Sequence, residues 1–236
     1  MKVRRFLDEA SWLDALRVDF EGALSTAKAS GRVLELLLSG GSTPEPAYRA
    51  LAALRLRSQP VRLWLGDERA VGPTDASRNG VLVSRCFSCA EWEPAPDIKL
   101  WPAGEAAQAA SGYATEIRRA LGTRPSFDVA LLGFGADGHT ASLFPDDEAS
   151  REALMPGRQE ITYATRAPVD PRIRMSLGID CLTGVRVLRF LSRGRAKDEV
   201  LRRLERDEGR VLPARVAADL AASKGADVVF YHLDVD

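Results

Sequence analysis

Val33-Leu34-Glu35-Leu36-Leu37-Leu38, running into Ser39-Gly40-Gly41-Ser42-Thr43-Pro44 and then an alanine-rich stretch to about Arg57, decides how this chain folds. A short apolar run, a glycine turn and a helix-forming segment spell strand, turn, helix. The grammar recurs. Val61 to Leu65 reads as a strand before a polar loop, Phe127 to Leu132 as a strand before Gly133-Phe134-Gly135, and Val185 to Leu191 as a strand before a helix at about Arg195 to Glu205. Upstream, Ala10, Leu13, Leu16, Phe20, Ala23, Leu24 and Ala27 form one apolar helical face from about Asp8 to Ala29, stopped by Gly31. Further helices fall at about Ser77 to Phe87 and Glu105 to Leu121. Near-continuous apolar strands alternating with helices predict an α/β fold with a mostly parallel sheet covered on both faces.

The chain has 236 residues, of which 45% are hydrophobic and 28% charged, the composition of an ordinary globular protein rather than a disordered or fibrous one. Thirty-three basic residues balance thirty-three acidic ones, which removes the bulk electrostatic case for a nucleic-acid partner. Any anion must be held locally. No apolar run is long enough to span a membrane, and the charged stretch Met1 to Asp8 lacks the apolar core of a signal peptide, so a cytoplasmic protein is expected. No linker, repeat or composition break divides residues 1–236, and a single domain is expected. Of the three cysteines, Cys86 and Cys89 form an isolated C-x-x-C, which makes neither a disulfide framework nor a zinc site and reads as ordinary thiols.

In open parallel sheets ligands bind outside the carboxyl ends of the strands, so the loops after Leu38, Leu65 and Leu132 should meet at one crevice. In the first, Gly40 and Gly41 allow close backbone approach to a ligand, Ser42 or Thr43 can cap the following helix, and Pro44 suits its first turn. Such a helix start attracts anions, and the P-loop lysine and spacing are absent. The second, Gly66-Asp67-Glu68-Arg69, reads as an exposed loop crowded with charge, where Arg69 can pair with a phosphate through two N–H groups. Its plainer reading is a surface ion pair of little energetic consequence.

The third loop, Gly133-Phe134-Gly135-Ala136-Asp137-Gly138-His139-Thr140, formally matches the dinucleotide fingerprint G-x-G-x-x-G. Pro145 interrupts the long helix such a fingerprint needs, and Glu160 precedes a strand instead of ending one, so that reading is rejected. What remains is an acid and a histidine two residues apart between glycines at a strand's carboxyl end. Imidazole is the side chain whose ordinary titration range spans neutrality, which points to His139 as a functional group that Asp137 can hold by a hydrogen bond. The only other histidine, His232, sits near a strand end and reads as structural. G-x-S-x-G is absent, and His139, Asp137 and the distant cysteines make no metal-ligand pattern. A histidine acting on water is left.

Together, Ser39 to Pro44, Trp64-Leu65-Gly66-Asp67-Glu68-Arg69-Ala70-Val71 and Leu132 to Pro145 closely resemble the 6-phosphogluconolactonase family in residues, order and spacing. Pro171-Arg172-Ile173 and Gly194-Arg195-Ala196-Lys197 extend the resemblance over most of the chain. It implies a modified Rossmann-like sheet shared with glucosamine-6-phosphate deaminases, and hydrolysis of 6-phospho-D-glucono-1,5-lactone without a cofactor or metal. It further implies that His139 is the general base and Asp137 orients it. Gly40, Gly41, Ser42, Thr43, Asp67, Arg69, Arg172 and Lys197 would hold the sugar phosphate. The oxyanion partner, a backbone N–H or a cationic side chain, stays open.

Deaminases carry a glutamate after the histidine, whereas this chain has Thr140-Ala141-Ser142-Leu143-Phe144-Pro145, and Phe144 cannot do acid–base work. Two departures from the lactonase pattern stand out. Arg174 replaces a threonine after the late Arg-Ile, and either adds charge near the site or points away. Arg78 interrupts Ser77 and Asn79, and is either an added phosphate ligand or a solvated side chain. Lys197, one of five lysines beside twenty-eight arginines, lies where Arg186 to Arg215 carries ten basic and five acidic residues. A small-molecule sugar phosphate is the expected partner, with no nucleic acid or membrane, and the chain is expected as a monomer or small homo-oligomer. The rivals are a sugar-phosphate deaminase or isomerase and a non-catalytic sugar-phosphate sensor, for which no DNA-binding helix-turn-helix is visible.

Overall fold

The computed structural model of the chain describes residues 1–235. Every residue of β2 (Leu34–Leu38) and β6 (Phe127–Leu132) is buried, as two apolar strands flanked by other strands and covered by helices must be. Beside them lie β1 (Val3–Phe6), β3 (Val61–Leu65), β5 (Asp97–Lys99), β9 (Val185–Arg193) and β10 (Asp227–Leu233). These seven strands form one sheet in the order β1-β10-β9-β6-β2-β3-β5, parallel at every pairing. The α/β architecture is therefore the expected one.

The connections are helical: α1 (Glu9–Ala29), α2 (Glu45–Ala52), α3 (Asn79–Phe87), α4 (Ala106–Leu121), α5 (Glu148–Ala153), α6 (Ile179–Leu182), α7 (Arg195–Glu205) and α8 (Pro213–Ser223). Asp8 starts α1 by accepting the Ser11 N–H at 2.8 Å, and Glu105 starts α4 by accepting from Ala107 and Gln108. Helix α2 stops five residues before Arg57. The chain there turns to pair with the loop before β5: Glu93 donates to the Leu56 carbonyl at 2.9 Å and Ser58 to the Glu93 carbonyl at 2.7 Å. The carboxylate in the middle of the sheet is paired. Glu35 on β2 accepts from the Trp64 indole and the Arg62 guanidinium, both at 2.6 Å, while burial pushes its carboxyl upward.

A second, three-stranded antiparallel sheet corrects the sequence reading. Its strands β4 (Asp67–Arg69), β8 (Ile173–Leu177) and β7 (Thr162–Arg166) lie in the order β4-β8-β7. Asp67-Glu68-Arg69 is thus a strand with buried acids, not an exposed loop. Glu68 is fully buried because its carboxylate accepts the N–H groups of Arg69, Asn79 and Gly80 at 2.7 to 2.8 Å, which satisfies the open donors at the start of α3.

Candidate active site

The carboxyl ends of β2, β3 and β6 open into one cleft of about 450 Å³, rimmed on its far side by Ala167 to Val169 at the β7–β8 turn. Its lining includes Gly40, Gly41, Ser42 and Thr43 from the first loop, Asp67 and Arg69 from β4, and His139 from the third loop. Lys197, from the first turn of α7, completes one wall. The three loops singled out by sequence do meet.

His139 is held from both ends of its own residue. Asp137 Oδ1 accepts the His139 backbone N–H at 3.1 Å and lies 2.6 Å from ring Nδ1. With Asp137 ionised, Nδ1 carries the proton and donates it, so Nε2 keeps its lone pair; Nε2 has no partner among the described residues. Burial works against the Asp137 charge, yet the hydrogen bond and charge of His139 outweigh it and hold the carboxyl below its usual range. The loop is closed tightly enough to fix this pair: Gly135 donates to the His139 carbonyl at 2.9 Å and Thr140 Oγ1 to the Gly133 carbonyl at 2.9 Å. Glycine at 135 is a steric requirement, since a Cβ there would sit 2.1 Å from His139 Nδ1 and 2.6 Å from Asp137 Oδ1. Phe144 stands against the imidazole with ring centroids 4.6 Å apart.

The floor is a polar relay. Asp67 Oδ2 accepts from Ser142 Oγ at 2.6 Å and Oδ1 from Asn79 Nδ2 at 3.0 Å, which ties β4 to the loop bearing His139 and to the start of α3. Asn79 also explains Gly40, where a Cβ would lie 1.7 Å from the Asn79 side-chain oxygen. The motifs give Asn79 and Ser142 no role of their own; an asparagine at the start of a helix is the signal the sequence offers. In the glycine turn, Gly41 takes φ +96°, and the buried Tyr48 hydroxyl both accepts from Ser39 N–H at 3.0 Å and donates to its carbonyl at 2.7 Å. Neither Ser42 nor Thr43 caps α2, contrary to expectation: Pro44 itself takes the cap position, with no side-chain cap bond.

The cationic candidates divide. Arg69 lines the cleft and donates to the Ser77 carbonyl, while its Nε is buried without a partner. Lys197 donates to the Phe134 carbonyl; burial lowers its pKa, with the nearby Asp137 opposing. Arg172 stands apart from the others. It sits at the turn between β7 and β8, where its carbonyl accepts from Ala167, and its exposed side chain lies 3.6 Å from Asp170, outside the cleft lining. Arg174 lines the cleft in its stead and is only 8% exposed. Arg78 is neither of the things expected of it, being buried and spent on the Trp101 carbonyl at 2.6 Å and on Glu68.

His232 is fully buried, with Nδ1 2.9 Å from Ser192 Oγ. Its ligand atom and those of Asp198 and Asp234 lie within 4.8 Å of one another, the spacing of a metal-binding group, but Arg5 already occupies Asp198 at 2.5 Å. A hollow of about 850 Å³ near Arg118, Arg158 and Lys224 is larger than the cleft, but its lining has no histidine. Cys86 is buried and Cys89 exposed, both as free thiols.

A family model described as glucosamine-6-phosphate isomerases/6-phosphogluconolactonase matches residues 7–226. The chain is 34% identical over 222 residues to a 6-phosphogluconolactonase of Rhizobium meliloti (strain 1021), covering 92% of this chain and 94% of that one. It is 30% identical over 230 residues to a 6-phosphogluconolactonase of Caulobacter vibrioides, covering 97% and 95%. Among solved structures, a 6-phosphogluconolactonase from Shewanella baltica superposes with a TM-score of 0.79 at 26% identity, covering 98% of each chain.

Proposed function

The chain belongs to the family of glucosamine-6-phosphate isomerases and 6-phosphogluconolactonases, and from that membership we propose that it hydrolyses 6-phospho-D-glucono-1,5-lactone to 6-phospho-D-gluconate in the oxidative pentose phosphate pathway. The observation that carries the chemistry is the His139–Asp137 pair at 2.6 Å, with ring Nε2 unpartnered among the described residues, in a cleft lined by glycines and cationic side chains. Nε2 takes a proton from water as its oxygen attacks C1. Asp137 keeps the donor on Nδ1 and offsets the imidazolium charge that forms. The imidazolium then returns the proton to the ring oxygen as the C1–O bond breaks, and the product is the open acid. General-base help of this kind is worth about two to four orders of magnitude in rate.

The 6-phosphate is remote from C1, so its contacts align the ester with the base. Gly40, Gly41, Ser42, Thr43, Arg69 and Lys197 hold the substrate, and Asp67, with both oxygens already oriented by donors, accepts from a sugar hydroxyl. Phe144 supports the lactonase over the deaminase reading, because the ring packed on His139 offers no acid or base to open a sugar. No step calls for a cofactor. Residues 1–236 act as one catalytic domain, cytoplasmic, as a monomer or small homo-oligomer with no nucleic-acid or membrane partner. Among the described residues, no helix is long and apolar enough to cross a membrane. The test is disappearance of 6-phosphogluconolactone above its spontaneous rate, with glucosamine 6-phosphate alongside. Ammonia release from the latter without lactone turnover would replace this reading by the deaminase one, and binding without turnover of either would replace it by the sensor.

A further inference from the structure

We propose that Arg174, paired with Arg69, is a substrate-binding residue of this site: together they form a two-guanidinium receptor for an anionic oxygen group of the bound sugar phosphate lactone. The inference rests on the lactonase reading and adds a residue to it at a position where the lactonase pattern carries threonine.

Arg174 is more than nine-tenths buried yet lines the cleft. Its Nε donates to the Pro171 carbonyl at 2.6 Å, which fixes the plane of the guanidinium, and its two terminal nitrogens have no partner among the described residues. These outer donors are not sealed in the core but reach the cleft, so an anion bound there gains charge-assisted hydrogen bonds from them. Directly across the antiparallel ladder from Arg174 is Arg69, also in the cleft, with a buried Nε that makes no hydrogen bond. Like charges placed opposite one another in a ladder are destabilising. Burial and the Arg69 charge both pull the Arg174 pKa down.

The neighbouring carboxylates do not resolve this. Asp67 is engaged by Asn79 and Ser142, and Glu68 by three backbone N–H groups and Arg78. With Arg69 Nη1 on the Ser77 carbonyl and Arg174 Nε on the Pro171 carbonyl, the donors left unspent are the terminal nitrogens of Arg174 and the Nη2 and buried Nε of Arg69, a set that matches a group with several anionic oxygens and for which arginine is better suited than lysine. The 6-phosphate is such a group; the single oxyanion that develops at C1 is the other anionic centre of the reaction.

Steady-state kinetics on 6-phosphogluconolactone and on unphosphorylated glucono-1,5-lactone distinguish them, using wild type, Arg174→Met and Arg174→Lys. Arg174→Met is expected to lose about ten- to hundredfold in kcat/KM on the phosphorylated lactone, the worth of hydrogen bonds to a charged group. A loss confined to KM and absent with the unphosphorylated lactone assigns the phosphate; a loss in kcat on both assigns the oxyanion. Because Met fills the site without the charge, the ligand-free variant should melt no lower than wild type, while the rise in Tm caused by inorganic phosphate should shrink. If Arg174→Met fails to fold, Arg174→Lys, which keeps the charge and loses the fork, should show a smaller loss in the same direction. Unchanged kcat/KM and an unchanged phosphate-induced rise in a folded variant would overturn the receptor. A wild-type chain without lactonase turnover would instead sink the functional reading, and the phosphate-induced shift would still judge Arg174.

Discussion

Two histidines occupy opposite fates in this chain, and their surroundings explain why. His232 is sealed at the end of β10 beside Ser192, whereas His139 presents Nε2 to a cleft and spends Nδ1 on Asp137. Replacing His139 by Ala should lower kcat by about a hundred- to ten-thousandfold with little change in KM, measured after subtracting spontaneous hydrolysis. Asp137→Asn should act in the same direction, because an amide no longer favours the Nδ1–H tautomer. The same residue predicts a pH dependence. Since the folded carboxyl titrates below its ordinary range, Asp137 contributes stability in full above that range and loses it as pH falls through the lowered value. Thermal unfolding of wild type and Asp137→Asn should therefore differ above about pH 4 and converge below it. Full turnover in His139→Ala would remove the base, and convergence already near pH 6 would remove the Asp137 argument.

At the level of elements, the site is built from places where side chains are excluded as much as from those present. Gly135 leaves room for the imidazole and its carboxylate, so Gly135→Ala should swing the ring away and cut kcat at least tenfold while the fold survives, seen as normal circular dichroism with low turnover. Strand β4 is one of the elements that periodicity did not reveal, and the one on which the site depends. Three residues, Asp67-Glu68-Arg69, are too few to show alternation, and their charges argued for solvent. They are buried because partners distant in sequence satisfy them: Ser142 from the third loop, and Asn79 and Gly80 from α3. Arg172 and Arg174 carry the same lesson. The motif pointed to the first, while the β7–β8 turn exposes it and the ladder with β4 sets the second beside Arg69.

For the molecule as a whole, stability rests on the parallel sheet that carries the three loops. Phe190 in β9 is fully buried and stacks on Phe230 of β10 at 4.5 Å, so Phe190→Ala should cost about 3–5 kcal/mol, read as a lower midpoint in urea unfolding. A cost under ~1 kcal/mol would mean the sheet centre is not the core described above.

What the amino-acid order determined alone was local and repetitive. Apolar runs set β2, β3, β6 and β9, and three/four spacing set α1. Asp137 and His139 were legible for the same reason: two residues apart, their geometry is set by one loop. Only tertiary structure decided the small antiparallel sheet, the burial of Asp67 and Glu68, the exposure of Arg172 and the placement of Arg174 opposite Arg69. These features depend on how separate elements meet and satisfy one another's charge and hydrogen bonds, a balance no single element of the sequence contains.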